Sequence, residues 1–210
     1  PENAPQNDFE YDVVAREVYP HYEAALRNMC AVDFDDLVYL PVKLLQSKPA
    51  LREKWRNRFR YMLVDEFQDT NHAQLSLVRE LAGADGNLTA VGDEDQGIYR
   101  WRGADLDNIL HFENNFPGAT LRKLERNYRS TQNILDASGA LVEHNEKRRG
   151  KRLWTDSGAG EAIELFLGRD EIDEARWVVK QACDRVEKGA RYGDIGFLVR
   201  TNGQTRALEE

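Results

Sequence analysis

A run of four apolar residues, Tyr61-Met-Leu-Val64, stops abruptly at two adjacent carboxylates, Asp65 and Glu66. It reads as a short buried strand, bounded by charge. Two further apolar runs follow, at residues 87–91 and 120–124, and helical patterns stand between the three. Strands separated by helices imply parallel βαβ units and a doubly wound sheet, because parallel neighbours need a crossover that a helix supplies. The expected class is α/β.

The strand ends also carry the chemistry. An Asp at the end of a buried strand suits Mg²⁺, which takes oxygen ligands and keeps several waters. The next acid, Glu66, is then placed to face a water. On these residues alone, solvated turn acids remain an equal alternative. Two longer segments narrow the choice: Val91-Gly-Asp-Glu-Asp-Gln-Gly-Ile-Tyr-Arg-Trp-Arg-Gly-Ala-Asp105, and Leu124-Glu-Arg-Asn-Tyr-Arg-Ser-Thr131. Together with Asp65-Glu-Phe-Gln-Asp-Thr-Asn71, in this order and spacing, they resemble the motor motifs of superfamily 1 helicases of the UvrD/Rep/PcrA family. The resemblance runs from about Phe34 to the end of the chain. No Gly-x-x-x-x-Gly-Lys-Ser/Thr occurs in the 210 residues, so the loop that would cradle the phosphates is missing from this sequence.

The resemblance implies RecA-like, P-loop NTPase motor domains, incomplete here and preceded by a helical segment. It divides the chain into residues 1–30, the end of an inserted helical subdomain; 31–121, the C-terminal part of a first motor domain; and 122–210, the start of a second. It implies ATP and Mg²⁺ as the nucleotide and metal. Asp65 would bind the metal and Glu66 would act as general base. Gln96 would sense the terminal phosphate, since an amide can accept from the water and donate to a phosphate oxygen. Arg129 would reach the γ-phosphate as an arginine finger, and Tyr128 would stack on the adenine. Arg129 directly precedes the expected N-cap Ser130, where a cation opposes the helix dipole and gains nothing structurally.

Tyr99-Arg-Trp-Arg102 interleaves rings with guanidinium groups, a composition suited to single-stranded DNA. If the segment is extended, Tyr99 and Trp101 point the same way and flank successive bases, with Arg102 beside them. Arg200 and Asn202 resemble a DNA-track segment, though a strand-end turn explains them almost as well. Gly97 stands where the family often has Ser. The implied whole is an ATP-dependent helicase that translocates 3′ to 5′ on single strands and at DNA junctions, in repair or replication, in the bacterial cytosol or nucleoid. Two other readings stay open: the motor subunit of a helicase–nuclease, and a non-catalytic DNA-binding module. The 210 residues alone are expected not to hydrolyse ATP.

Charge fits a local grip on nucleic acid rather than a general one. The net charge is −8, yet residues 48–60 hold six Lys or Arg against one acid, and residues 122–152 hold nine against four. Such patches suit a phosphate track, while any single cation is more often just solvated. Cys30 and Cys183 form no CxxC pair, and His21, His72, His111 and His144 show no ligand spacing, which argues against disulfide or zinc frameworks. No apolar run approaches the length of a membrane span.

The remaining pattern predicts disorder over 1–8 and helices over 9–29, from an Asp33 cap through Leu44, over 71–81, 104–112, 130–144 and 171–188. Strands are predicted over 162–167 and 194–199. Asn71 and Gln74 have the spacing of a capping box. The acids Asp33, Asp35 and Asp36 are read as first-turn residues rather than a metal site.

Overall fold

The structure is a computed structural model describing residues 10–83 and 86–209; the polar stretch 1–8 lies outside the described residues. In chain order it contains α1 (Glu10–Asn28), α2 (Asp36–Ser47), α3 (Pro49–Arg58), β1 (Tyr61–Val64), α4 (His72–Ala82), β2 (Asn87–Ala90), α5 (Asp107–Leu110), α6 (Phe112–Asn115), α7 (Gln132–Val142), α8 (Glu171–Glu187) and α9 (Thr205–Glu209). The chain divides into two compact units. One holds the residues up to Arg126 together with Ser138–Leu153; the other holds Asn127–Ala137 together with the residues from Trp154 on.

In the first unit β1 and β2 pair in parallel, with Tyr61 opposite Asn87 and Val64 opposite Ala90. Helix α4 is the crossover, and it begins as the spacing predicts. Asn71 Oδ1 accepts from Gln74 N at 2.9 Å while Gln74 Oε1 accepts from Asn71 N at 2.9 Å, satisfying two orphan donors at once. Val42 and Leu45 of α2 and Leu75 of α4 are buried. Asp33 does cap α2 from three residues ahead, its Oδ1 accepting from Asp36 N at 2.9 Å. Among the described residues no group of three or more His, Cys, Asp or Glu is placed to hold a metal.

In the second unit α7 starts on borrowed acceptors. Gln132 N donates to Gly158 O at 2.9 Å and Asn133 N to Ala159 O at 3.0 Å. Leu135, Ala175 and Ala182 are buried, and Trp177 of α8 stacks on Phe166 with ring centroids 4.8 Å apart.

Three expected strands do not form. Residues 120–124, 162–167 and 194–199 pair into no sheet, and residues 192–194 make a 3-10 turn instead. The reason lies in what a strand is. Its hydrogen bonds go to a neighbour, so an apolar run without a paired neighbour stays irregular. Leu165 and Leu198 remain 97% and 98% exposed. The doubly wound sheet is thus represented by one parallel pair. The helix predicted over 104–112 is also replaced by two short pieces, α5 and α6.

Candidate active site and nucleic-acid interface

Strand β1 delivers Asp65 and Glu66 to its C-terminal end. Both acids are exposed, and Glu66 N donates to Asp65 Oδ1 at 2.9 Å. Glu66 has φ 50° and ψ 45°, the left-handed region, which a non-glycine residue occupies only when its surroundings enforce it. The enforcing residue is Phe67. It is fully buried, packs edge-on to Phe112 at 5.2 Å, and donates its N–H to Val91 O at 2.9 Å. The chain must therefore swing inward within one residue of the strand end.

Gln68 follows, 2% exposed. Its Nε2 donates to Glu66 Oε2 at 2.6 Å and its Oε1 accepts from Asp93 N at 2.9 Å. The backbone donor fixes which end of the amide is oxygen, so Nε2 must face Glu66. One buried side chain thus ties the acid after β1 to the loop after β2. The fit is tight: a Cβ on Gly92 would lie 2.6 Å from Gln68 Oε1 and 2.7 Å from Ile109 Cδ1. Thr70, next along the same turn, is also buried, and Asn108 Nδ2 donates to its carbonyl at 2.9 Å. Burial, then the nearby Glu66 charge, pushes the Asp69 carboxyl above its usual range.

After β2, residues Glu94–Gln96 form a 3-10 turn. Asp93 Oδ1 accepts from Asp95 N at 3.0 Å, and Asp93 Oδ2 accepts from Gln96 Nε2 at 2.8 Å. Lys151 Nζ pairs with Asp93 Oδ1. Burial alone would raise the Asp93 carboxyl, but the bonds from Lys151 and Gln96 outweigh it and hold it below the usual range.

Tyr99 and Trp101 do not alternate on an extended segment as expected, because residues Arg100–Arg102 form a 3-10 turn. The Arg102 guanidinium instead lies over both rings, 5.4 Å from the Tyr99 centroid and 4.8 Å from that of Trp101. Trp101 keeps 76% of its surface exposed, so it is not a core residue. The turn is anchored behind by Asp105, whose N donates to Thr70 O at 3.0 Å and whose carboxylate meets His72 Nε2 at 3.2 Å.

Tyr128, Arg129, Arg200 and Asn202 belong to the second unit. Asn127 Oδ1 accepts from both Arg129 N at 2.9 Å and Ser130 N at 2.8 Å, leaving Tyr128 and Arg129 exposed at the tip of that bend. Arg200 and Asn202 are exposed in the turn before α9, where Gln204 Oε1 accepts from Arg200 N at 2.8 Å.

Gln68, Asp93, Arg148 and Lys151 escaped the sequence reading. A signal for the last two existed: the acidic triplet 93–95 and the basic run 147–152 are complementary in charge. Four of that run's five cations meet carboxylates. Lys147 meets Asp107 at 3.7 Å, Arg148 meets Asp95 at 2.9 Å, Arg149 pairs with Glu113, and Lys151 with Asp93.

With two exposed carboxylates at the strand end, Asp65 and Glu66, and no group of three or more ligand residues among the described residues, the strand end offers no closed cage. That suits a cation such as Mg²⁺, which keeps its own water and shares a substrate's phosphates.

The profile of the UvrD/REP helicase N-terminal domain matches residues 1–117, and that of the UvrD-like helicase C-terminal domain matches residues 122–210. The chain belongs to the UvrD/REP helicase family. Similar proteins include the ATP-dependent DNA helicase PcrA of Staphylococcus epidermidis, 45% identical over 212 residues and 100% of this chain. The ATP-dependent DNA helicase UvrD1 of Mycobacterium tuberculosis is 48% identical over 92% of the chain, and DNA helicase II of Escherichia coli is 46% identical over 93%. The chain spans 26–29% of the length of these relatives. Among the described residues no helix is long and apolar enough to cross a membrane.

Proposed function

We propose that this chain carries part of the ATPase and DNA-gripping machinery of an ATP-dependent DNA helicase. Its two family-matched segments would be RecA-like motor domains, divided near residue 121, with residues 1–30 as the end of a helical insertion. The observation that supports this reading best is the chain of hydrogen bonds Glu66–Gln68–Asp93–Gln96 across the ends of two parallel strands. It places a carboxylate and a carboxamide on one rigid frame, as phosphoryl transfer requires of groups that must be positioned before the reaction.

In this reading Asp65 would hold Mg²⁺, which neutralises phosphate charge when bound. Glu66 orients and deprotonates the attacking water. The Gln96 carboxamide reports whether a terminal phosphate is present, through its link to Asp93. Arg129 contacts the γ-phosphate and Tyr128 stacks on the adenine. The exposed Trp101, with Arg102 over its face, is a stacking platform for a base of single-stranded DNA, supported by Tyr99. Arg200 and Asn202 would line the same strand. Gln96 and Trp101 are joined by four intervening residues, so nucleotide state and DNA grip are mechanically close. Translocation from 3′ to 5′, action at DNA junctions, service in repair or replication, and residence in the bacterial cytoplasm complete the proposal.

Glu66→Gln in the full-length gene product tests it. ATP binding should persist while DNA-stimulated turnover falls by about two orders of magnitude or more, a general-base contribution. Near-normal turnover would overturn the assignment.

A further inference from the structure

The three acids that lead into the Gln96 turn are each met by one segment, residues 145–151. Lys151 Nζ pairs with Asp93, the Arg149 backbone N–H donates to Glu94 Oε1 at 3.1 Å, and Arg148 donates to Asp95 Oδ2 at 2.9 Å. Asn145 Nδ2 adds a bond to Asp95 Oδ1 at 3.2 Å. The segment is pinned on its other side as well. The Arg149 guanidinium binds Glu113 and the Leu110 carbonyl, and Lys123 Nζ donates to the Arg149 and Gly150 carbonyls. Residues 145–151 thus form a strap, fastened at both faces within the first unit.

Exposure shows what the strap is for. The Arg148 and Asp95 side chains are only 15% and 4% exposed, and those of Lys151 and Asp93 17% and 21%. A guanidinium already committed to a buried carboxylate is not available to a DNA phosphate, and withdrawing it would strand the carboxylate. The pairs therefore serve the geometry of the turn. Asp93 is the point where that geometry reaches the site: one oxygen takes Lys151 and the Asp95 N–H, and the other holds the Gln96 amide at 2.8 Å.

We propose that Arg148 and Lys151 are positioning residues for Gln96, the strap fixing the Asp93–Gln96 turn and Lys151 orienting the carboxylate that holds the Gln96 carboxamide. This rests on the reading of Gln96 as the group that contacts the terminal phosphate. Neither cation touches nucleotide or DNA in this scheme; both act through Asp93 and Asp95.

The test uses Lys151→Met, which keeps the aliphatic stem, and Lys151→Arg, which restores the charge, in the full-length gene product. In Lys151→Met, kcat for DNA-stimulated ATP hydrolysis should fall roughly 10–100-fold, the scale for partners that orient a site's own groups. KM for ATP and the salt dependence of single-strand binding should stay as in the wild type, and Lys151→Arg should recover most of the activity. Hydrogen exchange at the Asp95 and Gln96 amides should speed up in Lys151→Met while β2 is unchanged. A salt slope reduced by about one would make Lys151 a phosphate contact instead and overturn the proposal. Unchanged kcat with unchanged exchange would overturn it too. A wild type without DNA-stimulated ATPase would sink the functional reading, and the exchange comparison would still decide whether the strap positions the turn. If Lys151→Met failed to fold, Arg148→Met assayed the same way would carry the same outcomes.

Discussion

Gln68 offers the sharpest check on how this site is built. Replacing it with Leu removes one bond to a backbone N–H and one to a carboxylate, at 2.9 and 2.6 Å. A neutral hydrogen bond contributes about 1 kcal/mol and one to a charged group roughly 1.5–3 kcal/mol. Leu returns part of this by burying apolar surface, so a net loss of about 2–3 kcal/mol is expected. Gln68→Glu is nearly isosteric and separates the two bonds. One oxygen still accepts from Asp93 N, but the other now faces Glu66 Oε2 across the gap that Nε2 spans at 2.6 Å. Two like charges would then face each other, which disfavours the fold while both are ionised and is relieved when acid neutralises one of them. Urea titrations followed by far-UV circular dichroism, at several pH values, measure both variants. A Gln68→Leu loss below about 0.5 kcal/mol, the scale of an ordinary surface change, would refute the bridge. So would a Gln68→Glu variant whose deficit does not shrink in acid.

Three further outcomes are expected. Trp101→Ala should weaken single-strand binding by roughly 1–3 kcal/mol without altering ATP affinity in the absence of DNA; unchanged fluorescence anisotropy would reject the stacking role. Arg129→Ala should cut turnover within the roughly 10³–10⁵ range of arginine fingers while circular dichroism stays native, and a nucleotide-bound structure with this guanidinium turned from the γ-phosphate would contradict it. Glu113 should titrate near 2 rather than at its ordinary 4.5, chiefly because of the Arg149 hydrogen bond. Its stabilising effect is therefore complete above pH 4.5 and disappears as pH falls through about 2. Carbon-detected NMR of the carboxyl reads this directly, and Arg149→Met should move the midpoint back toward 4.5.

Local chemistry was legible and pairing was not. The Asn71–Gln74 capping box and helix α8 follow from side chains acting within a few residues, and each formed as the pattern predicts. The run 61–64 is a strand because 87–90 pairs with it, and Tyr61 and Leu63 stay 77% and 80% exposed where a buried strand is predicted. The runs at 120–124, 162–167 and 194–199 also predict strands yet pair into no sheet, because a strand is a relation between two segments. At the site, the motif residues were visible by type. The roles of Gln68 and Lys151 were not, since a buried glutamine and a committed lysine look in sequence like any solvated ones. Trp101 was legible as exposed, but the turn that replaces alternation with an Arg102 cap over both rings depends on Gly103 at φ 86° and on the Asp105 anchor beyond it.

The left-handed backbone at Glu66 sets a trap for protein engineers. A non-glycine residue held there costs of order 1–3 kcal/mol, and glycine would release most of that. Glycine would also strand the buried Gln68 amide, a loss of roughly 1.5–3 kcal/mol. Selection for melting temperature or soluble yield should therefore reach Glu66→Gly only together with an apolar replacement of Gln68, and such molecules have discarded their proposed general base. Libraries built on this scaffold need to be sorted on turnover, with position 66 held fixed, or robustness will be bought with silence.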